Sequence, residues 1–562
     1  IITTINTGSI TGSIANSGSI NTLNVTGNVT NGIANNANIG SLIVKESVSY
    51  KGNGSITNAL EVAQNKTLTA TNGITFNAKK GSVNNLGTIA GNLTLEGSSN
   101  TLSNAGTING NLTNSAKTST IANSGSINGT IINNATNGTI INADNSNIAA
   151  LDINESVIYN QGTNANITSN IDIAQGKTLT ADYGITLNAT NGSVNNKGIL
   201  AGNLTREGSS NSVTNSGSIT TIINNANNST LTNNSNIGSL AVYENLTYNG
   251  NGSITNALQV AQNKTLTIGS NGTLSFNSKN GSVNNLGTIA GNLANVKDSI
   301  ITSFNNSGTI SGNLYNEGHI DTLSNTGTMG TIYNTSKETI VALGNDKGAT
   351  IEAVNNTGNI NIITNDGTIN GQITSQNNSE IKEIRIGENG IVNAKGTLDS
   401  NNMQDKTNDA VSLDTINTTL IDNQGTIKGN VRVVGQGSVI GEINNQDTIS
   451  GCILADGGKI GNINNTNGAI ANCMSFSSGA SVDNISNNGT IKESITNDSG
   501  SITVNNGGSG SIGGITTSNG GTTTIINGGM DKPGGNIGAI TNTGSNSNTH
   551  IDGWTLDNPD NP

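Results

Sequence analysis

A short unit, Asn-x-Gly-x-Ile, returns along this chain so regularly that it decides what the chain can fold into. It reads Asn104-Ala105-Gly106-Thr107-Ile108, Asn123-Ser124-Gly125-Ser126-Ile127 and Asn306-Ser307-Gly308-Thr309-Ile310, then Asn325-Thr326-Gly327-Thr328-Met329, Asn356-Thr357-Gly358-Asn359-Ile360 and Asn365-Asp366-Gly367-Thr368-Ile369. Glycines 308, 318, 327, 348, 358 and 367 stand about 9 to 10 residues apart, or about twice that; Gly425, Asp447, Gly468 and Gly489 follow at 21 to 22. The spacing predicts a rung of roughly 19 to 22 residues with a corner at each Asn-x-Gly. Gly and Asn turn a chain cheaply because they tolerate positive φ. The Thr-Ile-x-Gly-x-Ile segments alternate apolar and polar residues, as a strand with one buried face does. One such rung has too little apolar surface to stand alone. Stacked rungs bury a continuous aliphatic column, and Asn side chains ladder along the corners.

A longer repeat supports the same reading. Asn38-Ile39-Gly40-Ser41-Leu42 returns as Asn147-Ile148-Ala149-Ala150-Leu151 and Asn236-Ile237-Gly238-Ser239-Leu240. Ala63-Gln64-Asn65-Lys66-Thr67-Leu68-Thr69 returns from Ala174 and Ala261. Gly87-Thr88-Ile89-Ala90-Gly91-Asn92-Leu93 returns from Gly198 and Gly287, at spacings of 111 and 89 that differ by 22. The copies differ by one whole rung, an insertion that a solenoid accepts without disturbing its neighbours. The expected fold is all-β: an elongated right-handed parallel β-helix, or β-solenoid. At about 4.8 Å per rung, roughly 25 rungs make a rod on the order of 120 Å.

Composition excludes other classes. Aromatic residues are 2% and charged residues 10%, too few for ordinary globular domains, and there are only 3 Pro among 562 residues, too few for a disordered chain. The net charge of −12 comes with no basic patch, so neither nucleic acid nor an anionic membrane is an expected partner. No apolar run reaches the length of a membrane-spanning helix. Ile1 opens inside a repeat, so the chain reads as an excised mature fragment whose flanks carry export and anchoring information.

The pattern divides the chain. Residues 1–394 form a solenoid array with the three long copies. Residues 395–415, from Lys395-Gly396-Thr397-Leu398-Asp399 onward, concentrate charge without alternation and read as a loop excursion. Rungs continue over 416–505. Residues 506–562 are Gly- and Ser-rich terminal rungs with a turn at Asp531-Lys532-Pro533-Gly534-Gly535, ending in a cap or exit segment around Trp554.

The Asn-Ser-Gly-Ser-Ile and Asn-Leu-Gly-Thr-Ile-Ala-Gly-Asn-Leu rungs resemble passenger domains of Gram-negative autotransporters, above all the Asn/Thr/Gly-rich passengers of ε-proteobacterial adhesins. The resemblance covers nearly the whole chain and lies in repeat style; filamentous haemagglutinins and phage fibres carry similar rungs. It implies a surface-exposed or secreted rod of a Gram-negative bacterium, a right-handed β-helix, and adhesion or autoaggregation without catalysis. The partners it implies are a host-cell surface or glycan, or a second copy of the chain. A membrane β-barrel outside this chain is the implied anchor. The alternative is a β-helical glycan-binding or glycan-cleaving protein of tailspike or pectinase type, which needs a carboxylate-lined groove.

Candidate sites are few. Asp498-Ser499-Gly500-Ser501 echoes the nucleophile motif of trypsin-like autotransporter proteases, but it sits in repeat style, and His319 and His550 are the chain's two histidines. Glu380, Glu383 and Glu388 cluster with Lys382 and Arg385 on a segment that reads as a strand with its charges outward. Two His and two Cys without ligand spacing, and no Gly-Gly-x-Gly-x-Asp nonapeptide, predict neither metal nor cofactor. Cys452 and Cys473 lie one rung apart in one column, which suits a disulfide or two small stacked residues. Tyr50, Tyr159 and Tyr248 recur in the long copies and suit either ligand stacking or the shielding of a corner. Asp152-Ile153-Asn154-Glu155-Ser156 fits a bacterial glycosylation pattern, in a chain rich enough in these residues to contain it by chance. An ice-binding face would need an unbroken Thr-x-Thr ladder, and Thr67-Leu68-Thr69 and Thr265-Leu266-Thr267 stand isolated.

Overall fold

The computed structural model describes residues 1–552 apart from 270–271, 336–338, 398, 400–401, 416, 471 and 529–532. Two compact units divide the chain, Ile1–Asn271 and Gly272–Pro562. Both are parallel β-solenoids, with about 26 turns in all.

The rung follows from the repeat. In the first unit Thr120–Asn123 forms one side and Ser126–Asn133 bends at its middle to supply two more. Thr120 then meets Thr139 one turn later, 19 residues on. In the second unit the same three sides are separate strands, as in Ile300–Asn306, Thr309–Ile310 and Leu314–Asn316. Turns shorten to 17 residues at Ile39↔Ile56 and lengthen to 26 at Thr522↔Asn548, and to 38 at Ile373↔Val411 across the excursion. Corners absorb the difference, so the range is wider than the sequence spacing suggested.

The aliphatic residue of the repeat makes the core. Ile89, Ile108, Ile127, Ile148 and Ile167 pair in register from turn to turn, each 1% exposed or less. Leu93, Leu112, Ile131, Leu151 and Ile171 form a second column. Each such side chain contributes about 1.5–3 kcal/mol on burial.

The glycine of Asn-x-Gly serves a purpose other than the expected positive φ. Gly106 and Gly125 lie outside the left-handed region. A Cβ on Gly106 would stand 2.0 Å from the carbonyl oxygen of Gly87, and one on Gly125 would stand 2.1 Å from that of Gly106. Close approach of successive corners, not backbone handedness, selects glycine there. Left-handed residues occupy another corner: Asn65 (φ 59°), Gly176 (φ 71°) and Asn263 (φ 61°) take the same place in the three long copies.

The asparagine of the repeat points inward and is buried. Asn85 donates its Nδ2–H to Oδ1 of Asn104, Asn104 to Asn123, and Asn123 to Asn142, at 2.7, 2.7 and 2.9 Å. In the second unit the ladders run Asn285, Asn306, Asn325, Asn345 and, on another side, Asn295, Asn316, Asn334, Asn356. A further ladder joins Asn423, Asn445, Asn465, Asn487 and Asn506. Every amide of these buried ladders donates toward the higher-numbered rung, whereas outward pairs such as Asn128 to Asn109 donate the other way. The first amide of each therefore has a donor to give and nothing to receive: Oδ1 of Asn85, Asn114, Asn196, Asn285, Asn295 and Asn423 has no hydrogen-bond partner among the described residues. The preceding rung offers an apolar residue instead, Val62 before Asn85, Leu95 before Asn114 and Ile386 before Asn423.

The excursion is shorter than the sequence suggested. Its chain returns by Asn408, because Asp409–Thr415 is a strand paired with Ile373–Ile386 on one side and Asn430–Val434 on the other. The apolar residues Val411 and Leu413 restore the alternation and seal the core. The Gly- and Ser-rich end keeps its rungs through Ser511–Ser518, Thr522–Asn527, Asn536–Thr543 and Asn548–Asp552. The expected cap around Trp554, and Asp531-Lys532 of the expected turn, lie outside the described residues.

Candidate ligand-binding groove

Chemistry in a solenoid sits where the repeat is broken, since insertions gather on one face. In the second unit one outward column runs in register through Tyr315, Tyr333, Asn355, Thr374, Ser412 and Arg432. The tyrosine rings stack with centroids 5.1 Å apart and planes 9° from parallel. Beyond Tyr333 the column steps down to shorter side chains, and the step opens a hollow. One part, about 510 Å³, is lined by residues that include Tyr333, Glu352, Asn355, Gln372, Thr374 and Lys395. The adjoining part, about 350 Å³, shares Gln372, Thr374, Gln376 and Lys395 and adds Lys406, Thr407, Ser412 and Asp414.

The excursion forms the wall. Lys395 N–H donates to Asp409 O and Gly396 N–H to Thr407 O, closing the base of the loop as a narrow hairpin. Buried Asn408 holds the inside, accepting from Asp399 N–H at 2.7 Å and donating to Asn402 O at 2.8 Å. Asn430 Nδ2 donates to Met403 O and Arg432 Nη2 to Gln404 O, at 2.7 and 2.9 Å. Arg432 Nε also donates to Asp409 Oδ2 at 2.7 Å, with both side chains under 8% exposed. Burial pushes the Asp409 carboxyl above its ordinary range, and the hydrogen bond and charge of Arg432 only partly oppose this. On the groove floor Thr374 Oγ1 donates to Asn355 Oδ1 at 3.0 Å. The lip carries Lys395 and Lys406, both exposed and neither ion-paired among the described residues.

The first unit has hollows at matching places in two of its long copies. One is lined by Ile43, Lys45, Glu61, Asn84 and Leu86. Its counterpart, about 460 Å³, has Asp152, Asn154, Asp172, Asn195 and Lys197 at those places. The backbone is reused while the side chains change from partly apolar to wholly polar.

The residues singled out in the sequence fall elsewhere. Tyr50, Tyr159 and Tyr248 are all 0% exposed, so they offer no face to a ligand and are corrected from candidate contacts to core residues. The reason is parity: in Val48-Ser49-Tyr50 the tyrosine shares the inward side with Val48. Tyr50 and Tyr248 end asparagine ladders, and burial raises the pKa of their hydroxyls. Cys452 and Cys473 are joined in a disulfide between adjacent rungs, Cα–Cα 4.5 Å. Ser499 is a left-handed corner residue (φ 70°) whose Oγ accepts from Gly479 N–H. Glu383 pairs with Arg385 at 2.7 Å on the outward side of a strand whose Ile381, Ile384 and Ile386 are buried. Asn154 lies exposed on a corner. Among the described residues no three His, Cys, Asp or Glu side chains group closely enough to hold a metal ion.

Sequence reasoning missed two features that had signals. Leu314-Tyr315-Asn316 and Ile332-Tyr333-Asn334 are the same aliphatic-Tyr-Asn step one rung apart. Arg206 interrupts an apolar position held by Leu95 in the first long copy, and it is wholly buried.

Comparison with protein-family models, curated proteins and solved structures finds no match to this chain. The fold itself defines a parallel β-solenoid repeat protein, consistent with a β-helical passenger domain.

Proposed function

We propose that the chain is a non-catalytic structural and adhesive element, exposed on or released from the surface of a Gram-negative bacterium in the manner of an autotransporter passenger. Its role is adhesion or autoaggregation. The observation that carries this reading is the division of labour across each rung. Aliphatic residues and amide ladders fill the inside, and the outward columns are small polar residues repeated in register, interrupted by the groove at Tyr333. A surface of that kind supports many weak contacts spread along a scaffold.

The glycan-cleaving alternative asks for two carboxyl groups facing one bond across a short gap. Asp409 is instead buried against Arg432, and Glu352 is exposed on a rung two turns from that of Asp414. This arrangement suits holding a ligand better than cutting it.

The test is display of the chain on a non-aggregating bacterium through a heterologous outer-membrane anchor, followed by settling and host-cell binding assays. Gain in either assay is the expected result; gain in neither counts against the adhesive role.

A further inference from the structure

We infer that the groove between Tyr333 and the excursion wall is a binding site for a short glycan, with the ring of Tyr333 as its stacking platform. The inference deepens the adhesive reading by naming its ligand class. Each part of the hollow is on the scale of a small-molecule site. Its lining matches the chemistry of a sugar. A pyranose has an apolar face of C–H groups and a rim of hydroxyls. Tyr333, with one ring face against Tyr315 and its column stepping down on the other side, supplies the apolar surface. Asn355, Gln372, Gln376 and Ser412 supply paired donor and acceptor groups for the hydroxyls, while buried Thr374 steadies the Asn355 amide from beneath.

A peptide ligand would ask for other features. Strand addition needs an unpaired sheet edge, yet the strands beneath the groove pair with a rung on both sides. Helix docking needs a row of large aliphatic side chains, and Val434 is the one such residue lining the two parts. The wall is also built to hold still. The buried Arg432–Asp409 pair, Asn408 and Asn430 fix the excursion from beneath, so a ligand meets a preformed surface and less ordering opposes binding.

The experiment probes the full chain on an array of mammalian and bacterial-surface oligosaccharides, then titrates the strongest binder against the parent, Tyr333→Ala and Tyr333→Phe. Tyr333 is partly exposed on an outward column and outside the core, so circular dichroism should find all three folded alike. The expected result is binding of at least one oligosaccharide, weakened about tenfold by Tyr333→Ala and within about twofold of the parent for Tyr333→Phe. Binding of no oligosaccharide, or binding that Tyr333→Ala leaves intact, overturns the site. The adhesion assay separates this from the broader reading. A chain that promotes adhesion without glycan binding keeps the adhesive role and loses the site. One that binds glycan through Tyr333 without promoting adhesion keeps the site and loses the role.

Discussion

Asn233 donates its Nδ2–H to the hydroxyl of Tyr248 at 3.0 Å, and that hydroxyl donates in turn to the carbonyl of Gly252 at 2.9 Å. Tyr50 does the same between Asn35 and Gly54. A core tyrosine thus closes an amide ladder by turning its last donor back to the backbone. Tyr159 occupies the equivalent place in another long copy, but its hydroxyl has no well-formed hydrogen bond among the described residues.

Tyr248→Phe should therefore cost about 1–2 kcal/mol of local stability, because it leaves a buried amide donor short of a partner. Tyr159→Phe should be within about 0.5 kcal/mol of the parent. Hydrogen exchange of the flanking rungs distinguishes the two, and equal effects would refute the ladder-closing role.

Position within a ladder should set the cost of losing an asparagine. Asn465→Ala strands the donor of Asn445 and the acceptor of Asn487, at about 2–4 kcal/mol. Asn285→Ala removes one donor and also an amide oxygen that had no partner, so it should cost roughly half as much. The comparison is made by local exchange protection, since long repeat arrays seldom unfold in two states.

Arg206 is a charge in an aliphatic interior. Nη1 donates to Thr230 O and Nη2 to Asn224 Oδ1, while Nε has no hydrogen-bond partner among the described residues. Burial lowers its pKa from the ordinary guanidinium range to about 9. The unfolded state binds more protons between the two, so stability rises with pH across that window and the penalty is complete at neutrality. Arg206→Leu copies the arrangement of Leu95 over Asn114 and should add about 1–3 kcal/mol. It should also flatten the rise in stability above pH 9. Urea titration at neutral and alkaline pH reads both effects.

Arg432→Met should loosen the excursion by about 3–5 kcal/mol, because Asp409 is left charged and buried. Adding Asp409→Leu should recover most of that loss. Limited proteolysis across 395–408 measures it: fast cleavage in the single variant and parent-like resistance in the double variant are expected. The raised pKa of Asp409 gives the pH sign. The folded state takes up its proton more readily than the unfolded one, so this group favours folding more as pH falls through its folded pKa.

The scaffold was legible because its cause is local. Asn104-Ala105-Gly106 carries the corner, Ile108 the core and Asn104 the ladder within five residues. Glycine's role there was misread, since the proximity of Gly106 to Gly87 depends on stacking and not on the residue's own φ. The groove was illegible for a related reason. Tyr333, Asn355, Thr374 and Ser412 come together only when each turn's length is known, and the excursion adds an irregular gap before Ser412.

The shared orientation of the ladder amides gives each stack a grammar. A rung laid down in its proper order presents an oxygen to a waiting N–H. A single amide turned the other way would set N–H against N–H on one side and oxygen against oxygen on the other, so the amides of a stack turn together. Near-identical repeats usually invite slippage; here a strand shifted by one residue would leave the buried amides on both sides without partners, which holds the register even where the sequence hardly changes.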